Sequence, residues 1–114
     1  MEVFQKHIVI NFDLGLRGDY SSLYSWLDNK NAIECGNATA AFAMNFSKDD
    51  FQTIYDELKK DLEKNVVVEK TDRIYMIATD SDCSMKGAFL FGGRKRATWE
   101  GYSIKKTNEP DNFS

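Results

Sequence analysis

Residues His7–Asp13 (HIVINFD) alternate strictly, with Ile8, Ile10 and Phe12 on one side and Val9, Asn11 and Asp13 on the other. That is the pattern of a β-strand covered on one face only. Such a strand needs a second layer to take its apolar side, and the sequence supplies two pieces of one. Asp19 stands in a capping position ahead of Tyr20, Leu23, Tyr24 and Leu27, which recur at three- and four-residue steps, so a first helix is predicted to run to about Asn29. Ser47 to Asp50 gives a Ser-x-x-Asp start, a variant of the capping box. Phe51, Ile54, Tyr55, Leu58 and Leu62 follow it on one stripe of a second helix.

More strands complete the pattern. In NAIECGNATAAFAMNF, Gly36-Asn37 lies between two short extended pieces and reads as a hairpin; a single strand bulged at Gly36 is the competing reading. RIYMIAT (Arg73–Thr79) is β-branched and aromatic with the same alternation, and KGAFLFGG supplies a fifth strand. The order β-α-β-β-α-β with one strand appended predicts an α+β, ferredoxin-like sandwich: an antiparallel sheet with two helices on one face. Carrying the alternation through, the helix-facing set is Ile8, Ile10, Phe12, Phe42, Met44, Phe46, Ile74, Met76 and Ala78. The opposite face collects Val9, Asn11, Asp13, Ala41, Ala43, Tyr75 and Ile77. It is apolar enough around Ala41 and Ile77 to predict a second sheet against it, most simply in a two-fold homodimer.

At 114 residues and 42% hydrophobic content the chain suits one self-folding domain, expected over residues 1–104. The last ten residues, KKTNEPDNFS (105–114), carry the single Pro and read as a flexible tail. No apolar run approaches the roughly 18 residues of a membrane span, and no leader-like segment opens the chain, so no membrane partner is expected and a cytoplasmic location is the default. Cys35 and Cys83 are far apart and lack the paired spacing of a zinc site, which favours two reduced thiols.

A formal net charge of -3 argues against a general nucleic-acid coat, because such binding rests on clustered Lys and Arg. Any contact with phosphate must be local. The one concentrated basic segment is GGRKRATW, in which Arg94, Lys95 and Arg96 follow two glycines and precede Trp99; these three are the candidate phosphate contacts, against the plainer reading of a solvated turn. DSDCS reads as a polar turn, since Asp80 and Asp82 oppose thiolate formation at Cys83. His7, the sole histidine, has no partner at a ligand spacing.

Asp13 has two readings. It accepts hydrogen bonds from the turn that follows the strand, or it holds Mg²⁺ together with its two-fold mate, since that ion keeps several waters and needs only one or two carboxylates. A metal placed there could activate water against a phosphodiester.

IVINFDLGLRGDYSSLYSWL, the TAAFAMNFSKDDFQTIYDELKKDL segment and TDRIYMIATD together resemble the SinR-like, Cas-Two-like group of small ferredoxin-fold proteins. That group includes CRISPR-associated members and has similarity to VapD-type ribonucleases. The resemblance covers residues 7–79 and is carried by the strand ending in Phe12-Asp13-Leu14, by Asp19-Tyr20 with Leu23, and by Thr71-Asp72-Arg73. It implies that Asp13 matches a metal-associated, catalytic aspartate, and it brings in Arg17, the one cation of the following loop, as a further nucleic-acid contact. Two functions follow as expectations: a non-catalytic homodimeric module binding a nucleic acid or a protein, and a magnesium-dependent endonuclease acting on RNA or DNA.

Overall fold

In the computed structural model, residues 2–103 are described. The tail expected over 105–114 lies outside them. The elements are β1 (Phe4–Asp13), α1 (Tyr20–Asn29), β2 (Ile33–Glu34), β3 (Thr39–Phe46), α2 (Phe51–Asn65), β4 (Arg73–Thr79) and β5 (Met85–Phe91). The five strands form one antiparallel sheet in the order β2-β3-β1-β4-β5. The fold is therefore α+β. No helix among the described residues is long and apolar enough to cross a membrane.

Cross-strand register sorts the two faces. Ile8 stands opposite Phe42, Ile10 between Ala40 and Met76, and Phe12 opposite Ile74. These residues are buried in one cluster with Leu23, Trp26 and Leu27 of α1 and Ile54, Leu58 and Leu62 of α2, so both helices cover the same face. Of the nine residues expected there, Met44 alone is only partly buried. Burying side chains of this size contributes about 1.5–3 kcal/mol each, which makes this layer the main source of stability.

The helix starts follow local chemistry. Asp19 caps α1 by accepting from the Ser22 amide at 3.1 Å. At α2 the cap is Asp50, which accepts from the Thr53 amide at 2.8 Å. This corrects the expectation of a cap at Ser47: the Ser47 amide and hydroxyl instead donate to Glu57, further along α2. The two helices are tied by Asp61, which accepts from Trp26 Nε1 at 2.9 Å and from Lys30 Nζ at 2.7 Å. Burial pushes the Asp61 carboxyl up, and these two donors outweigh it, leaving it below the usual carboxylate range. Between β2 and β3 the chain makes a true hairpin, with Gly36 at φ 141° in its turn, so the bulged single strand does not occur.

Asp72 is the one buried charged residue among those described. Its carboxylate accepts from the Gly15 amide and from the Glu69 amide, both at 2.7 Å. It thereby pins the loop after β1 to the start of β4 and fixes where those two strand ends meet.

Candidate functional site

The face of the sheet away from the helices carries an apolar row across its full width: Ile33, Ala41, Val9, Ile77 and Gly87 are successive cross-strand partners. The next row toward the Asp13 end is Thr39, Asn11, Tyr75 and Phe89. Beyond it stand Asp13 and Arg73, directly opposite each other. Arg73 Nη2 donates to Asp13 Oδ2 at 3.0 Å. The Arg73 Nε is buried and has no hydrogen-bond partner among the described residues.

Two glycines shape this corner. A Cβ on Gly87 would collide with the Tyr75 hydroxyl and fall under 3 Å from its ring carbons, so the Tyr75 ring lies diagonally over Gly87 on the sheet surface. Aromatic cover of an edge-strand glycine is a known way to complete such a surface. Phe89 meets that ring edge-on, with centroids 4.9 Å apart. The β4–β5 register shifts between Ile74 and Tyr75, so Leu90 and Phe91 both turn toward the helices while Phe89 stays outside. Gly92, at φ 78°, then turns the chain where a Cβ would sit 2.7 Å from the Asp72 carbonyl. That turn brings Arg94 back over the open face, its guanidinium 6.0 Å from the Tyr75 ring and 5.8 Å from Phe89.

The result is a groove of about 320 Å³ lined by Asn11, Asp13, Arg73, Tyr75, Phe89 and Arg94. A larger trough of about 650 Å³ continues from it past Lys95, Arg96 and Trp99, sharing Arg73, Phe89 and Arg94. Four cations line that trough against one acid, Glu100, which lies 3.4 Å from Arg96. Trp99 is 76% exposed. The wide hollow at the end of α2, with Glu63, Lys64, Glu69 and Lys70 on its rim, has no comparable run of aromatic and cationic side chains.

Of the residues singled out in the sequence, Asp13 and Arg94 share the groove, and Lys95 and Arg96 line its extension. Arg17 is exposed in the Gly15–Gly18 turn and lines neither. Arg73, Tyr75 and Phe89 were not among the sequence candidates. Alternation had placed Tyr75 on the open face, but pairing it with Phe89, and Arg73 with Asp13, requires the strand register. His7 is exposed on the same face opposite Ala43, outside the groove.

The remaining polar features are structural. Asp80 accepts from the Phe51 amide at 3.0 Å, the Ser81 amide at 2.8 Å and Lys86 Nζ, and the Lys86 hydrogen bond first, then the two amides, hold its carboxyl far below the usual range. Asp82 closes the same turn on Ser84. Cys83 and Cys35 are both free and exposed.

A magnesium site does not fit the side chains of one chain at Asp13. The carboxylate there is single, it is bonded to one guanidinium and shares its groove with a second, and no group of three or more His, Cys, Asp or Glu residues converges among the described residues. With its two-fold mate Asp13 would offer two carboxylates, within the one or two that Mg²⁺ takes from protein.

Comparison of the chain with protein-family models, with curated proteins and with solved structures finds no match.

Proposed function

We propose that the chain is a non-catalytic, homodimeric module of ferredoxin-like plan that binds single-stranded nucleic acid at the Tyr75–Phe89–Arg94 corner of its open face. The plan is supported by the sheet order, in which β2-β3-β1-β4 match the four strands of βαββαβ and β5 is the appended fifth. The observation that carries the binding reading is the guanidinium of Arg94 over two aromatic rings, with Arg73, Lys95, Arg96 and Trp99 alongside. Aromatic faces take up successive bases whatever their sequence, and flanking cations follow the backbone.

In a net acidic chain, four cations gathered in one trough draw phosphate to that trough. The apolar row through Val9, Ala41 and Ile77 supplies the self-association surface, and Asp13 with its groove lies at the border of that row. The SinR-like, Cas-Two-like resemblance belongs to the same reading, as a family assignment for the fold. A second reading, the magnesium-dependent endonuclease, is favoured by one observation: Asp13 sits in the groove that the cations line.

One experiment separates them. Fluorescently labelled single-stranded RNA and DNA are titrated with the purified chain, with and without Mg²⁺ or Mn²⁺, beside Arg94→Ala and Asp13→Ala. Saturable binding that Arg94→Ala weakens, with the strands intact throughout, is the expected outcome. Metal-dependent cleavage abolished by Asp13→Ala would establish the enzyme instead, and no binding at any tested concentration would refute the module.

A further inference from the structure

Building on that binding reading, we infer that the groove beside the aromatic platform selects guanine, with Asp13 reading the base edge. Asp13 ends β1 on the open face, one alternate position beyond Asn11, and both line the groove floored by Tyr75 and Phe89. The two rings stand edge to face, so a base stacks on one of them, with the Arg94 guanidinium moving aside or over it, and its edge then meets Asp13 and Arg73, which line the same groove. Asp13 uses only Oδ2 to hold Arg73, at 3.0 Å, and Oδ1 receives no hydrogen bond from the described residues. An ionised carboxylate only accepts hydrogen bonds.

The base edges differ in what they offer such a group. Guanine presents two adjacent donors, N1–H and the N2 amino group, which match the two oxygens of a carboxylate. Adenine and cytosine each pair one amino donor with a ring-nitrogen acceptor, so their lone pair would face the second oxygen. Uracil and thymine flank a single N–H with two carbonyls. A carboxylate at this wall therefore favours guanine and repels the other four. Arg73 supplies the complementary half: Nη2 donates to Asp13 and Nε is buried, so the remaining terminal N–H groups of the guanidinium are the donors for the guanine carbonyl or an adjoining phosphate. Asn11 is held in place by donating one amide N–H to Thr39 Oγ1 at 3.0 Å, and its second N–H and its carbonyl oxygen suit a donor or an acceptor alike, so it adds little discrimination. The groove volume of about 320 Å³ falls at the small end of the roughly 300–1,000 Å³ typical of ligand clefts, the size of a single heterocycle with its sugar rather than a longer segment.

The test measures affinities of the full chain for oligothymidine and oligouridine strands that carry one central guanine, adenine or cytosine, and for guanosine and adenosine monophosphate. The wild type is expected to prefer the guanine strand by about tenfold, the discrimination of a bidentate base contact, in RNA and DNA alike. Asp13→Asn, which keeps the shape and replaces one acceptor by a donor, is expected to lose that preference while binding the guanine-free strands as well as before or better. Asp13→Glu serves as the conservative control and is expected to retain part of it. Arg94→Ala is expected to weaken all strands together. Equal wild-type affinity for every strand overturns the guanine inference and leaves the binding module standing. A preference that survives in Asp13→Asn overturns Asp13 as the reader. Absence of binding to any strand overturns both readings.

Discussion

Arg73 stands between two aspartates with opposite duties: Asp72 beside it in sequence is buried against two backbone amides, and Asp13 across the β1–β4 pair is exposed and bonded to its guanidinium. The first fixes the corner of the sheet and the second faces outward from it. Their substitutions should therefore separate stability from binding.

Asp72→Ala leaves the Gly15 and Glu69 amides without their acceptor inside the protein. Both hydrogen bonds are part-buried and run to a buried carboxylate. Hydrogen bonds to charged groups contribute about 1.5–3 kcal/mol each, so urea denaturation should show a loss of about 3–6 kcal/mol, less where water replaces the acceptor at the exposed Glu69. Asp13→Ala removes an ion pair whose carboxylate side chain is 59% exposed, and such pairs contribute about 0–1 kcal/mol. Comparable losses in the two variants would contradict the assignment of roles.

Gly87→Ala tests the aromatic platform through its support. The added methyl occupies the place of the Tyr75 hydroxyl end, so the ring must lift from the sheet. Binding of single strands should weaken toward the level of Tyr75→Ala, for which loss of a base–aromatic stack predicts about 1–3 kcal/mol. Circular dichroism of Gly87→Ala should still show the native fold, because β5 is an edge strand and the ring has solvent to move into. Unchanged affinity would mean that Tyr75 is not a stacking surface.

Arg94, Lys95 and Arg96 differ in how they contribute, and salt dependence resolves this. Each cation that meets a phosphate releases counterions, so its removal should reduce the slope of log affinity against log salt by roughly 0.7 for a single strand. Lys95→Ala is expected to change the slope by that amount. Arg96 is shared with Glu100, so Arg96→Ala should change it less, and Glu100→Gln should strengthen binding.

Acid should destabilise the fold within a defined window. Asp19, Asp50, Asp61, Asp80 and Asp82 all titrate below the ordinary value of 3.8 in the folded chain. The Asp82 carboxyl is held down first by the Ser84 hydroxyl and then by the Ser84 amide. Asp80 is lowered first by Lys86, and Asp50 first by the Thr53 amide. Because these folded-state values lie below the unfolded ones, the unfolded chain binds more protons as pH falls. The stability these groups contribute is complete above the unfolded value and is lost as pH falls through the folded ones. The melting temperature should hold steady down to about pH 5 and decline below it. A decline already complete by about pH 6 would contradict this origin.

Much of the fold could be read from the chain because its signals are local. Alternation in His7–Asp13 and Arg73–Thr79 and the stripe from Phe51 to Leu62 are set by residues within a turn or two of each other, and they placed the helix-facing layer correctly. Errors arose where two local signals competed: Ser47 and Asp50 both suit a cap, and Ser47 is drawn instead to Glu57, a partner that lies well along the helix.

The site was legible only in part. Arg94, Lys95 and Arg96 stood out as a charged cluster, and Asp13 as a carboxylate closing a strand. Their meeting with Arg73, Tyr75 and Phe89 depends on how β1, β4 and β5 align, on the register shift beside Leu90 and on the turn at Gly92. Strand alignment and the register shift have no short-range signature, and the glycine pair marks a turn without saying where it aims Arg94. Arg17 shows the reverse case, a cation close to Asp13 in sequence that lines neither hollow on the open face.

The most direct test of the central claim is to titrate isotope-labelled protein with a short single strand containing guanine and to map the resonance shifts by nuclear magnetic resonance. Binding at the open-face corner predicts the largest shifts at Asn11, Asp13, Arg73, Tyr75, Phe89 and Arg94, with the outer faces of α1 and α2 unmoved. Shifts confined to the helices, or none at saturating strand, would contradict it.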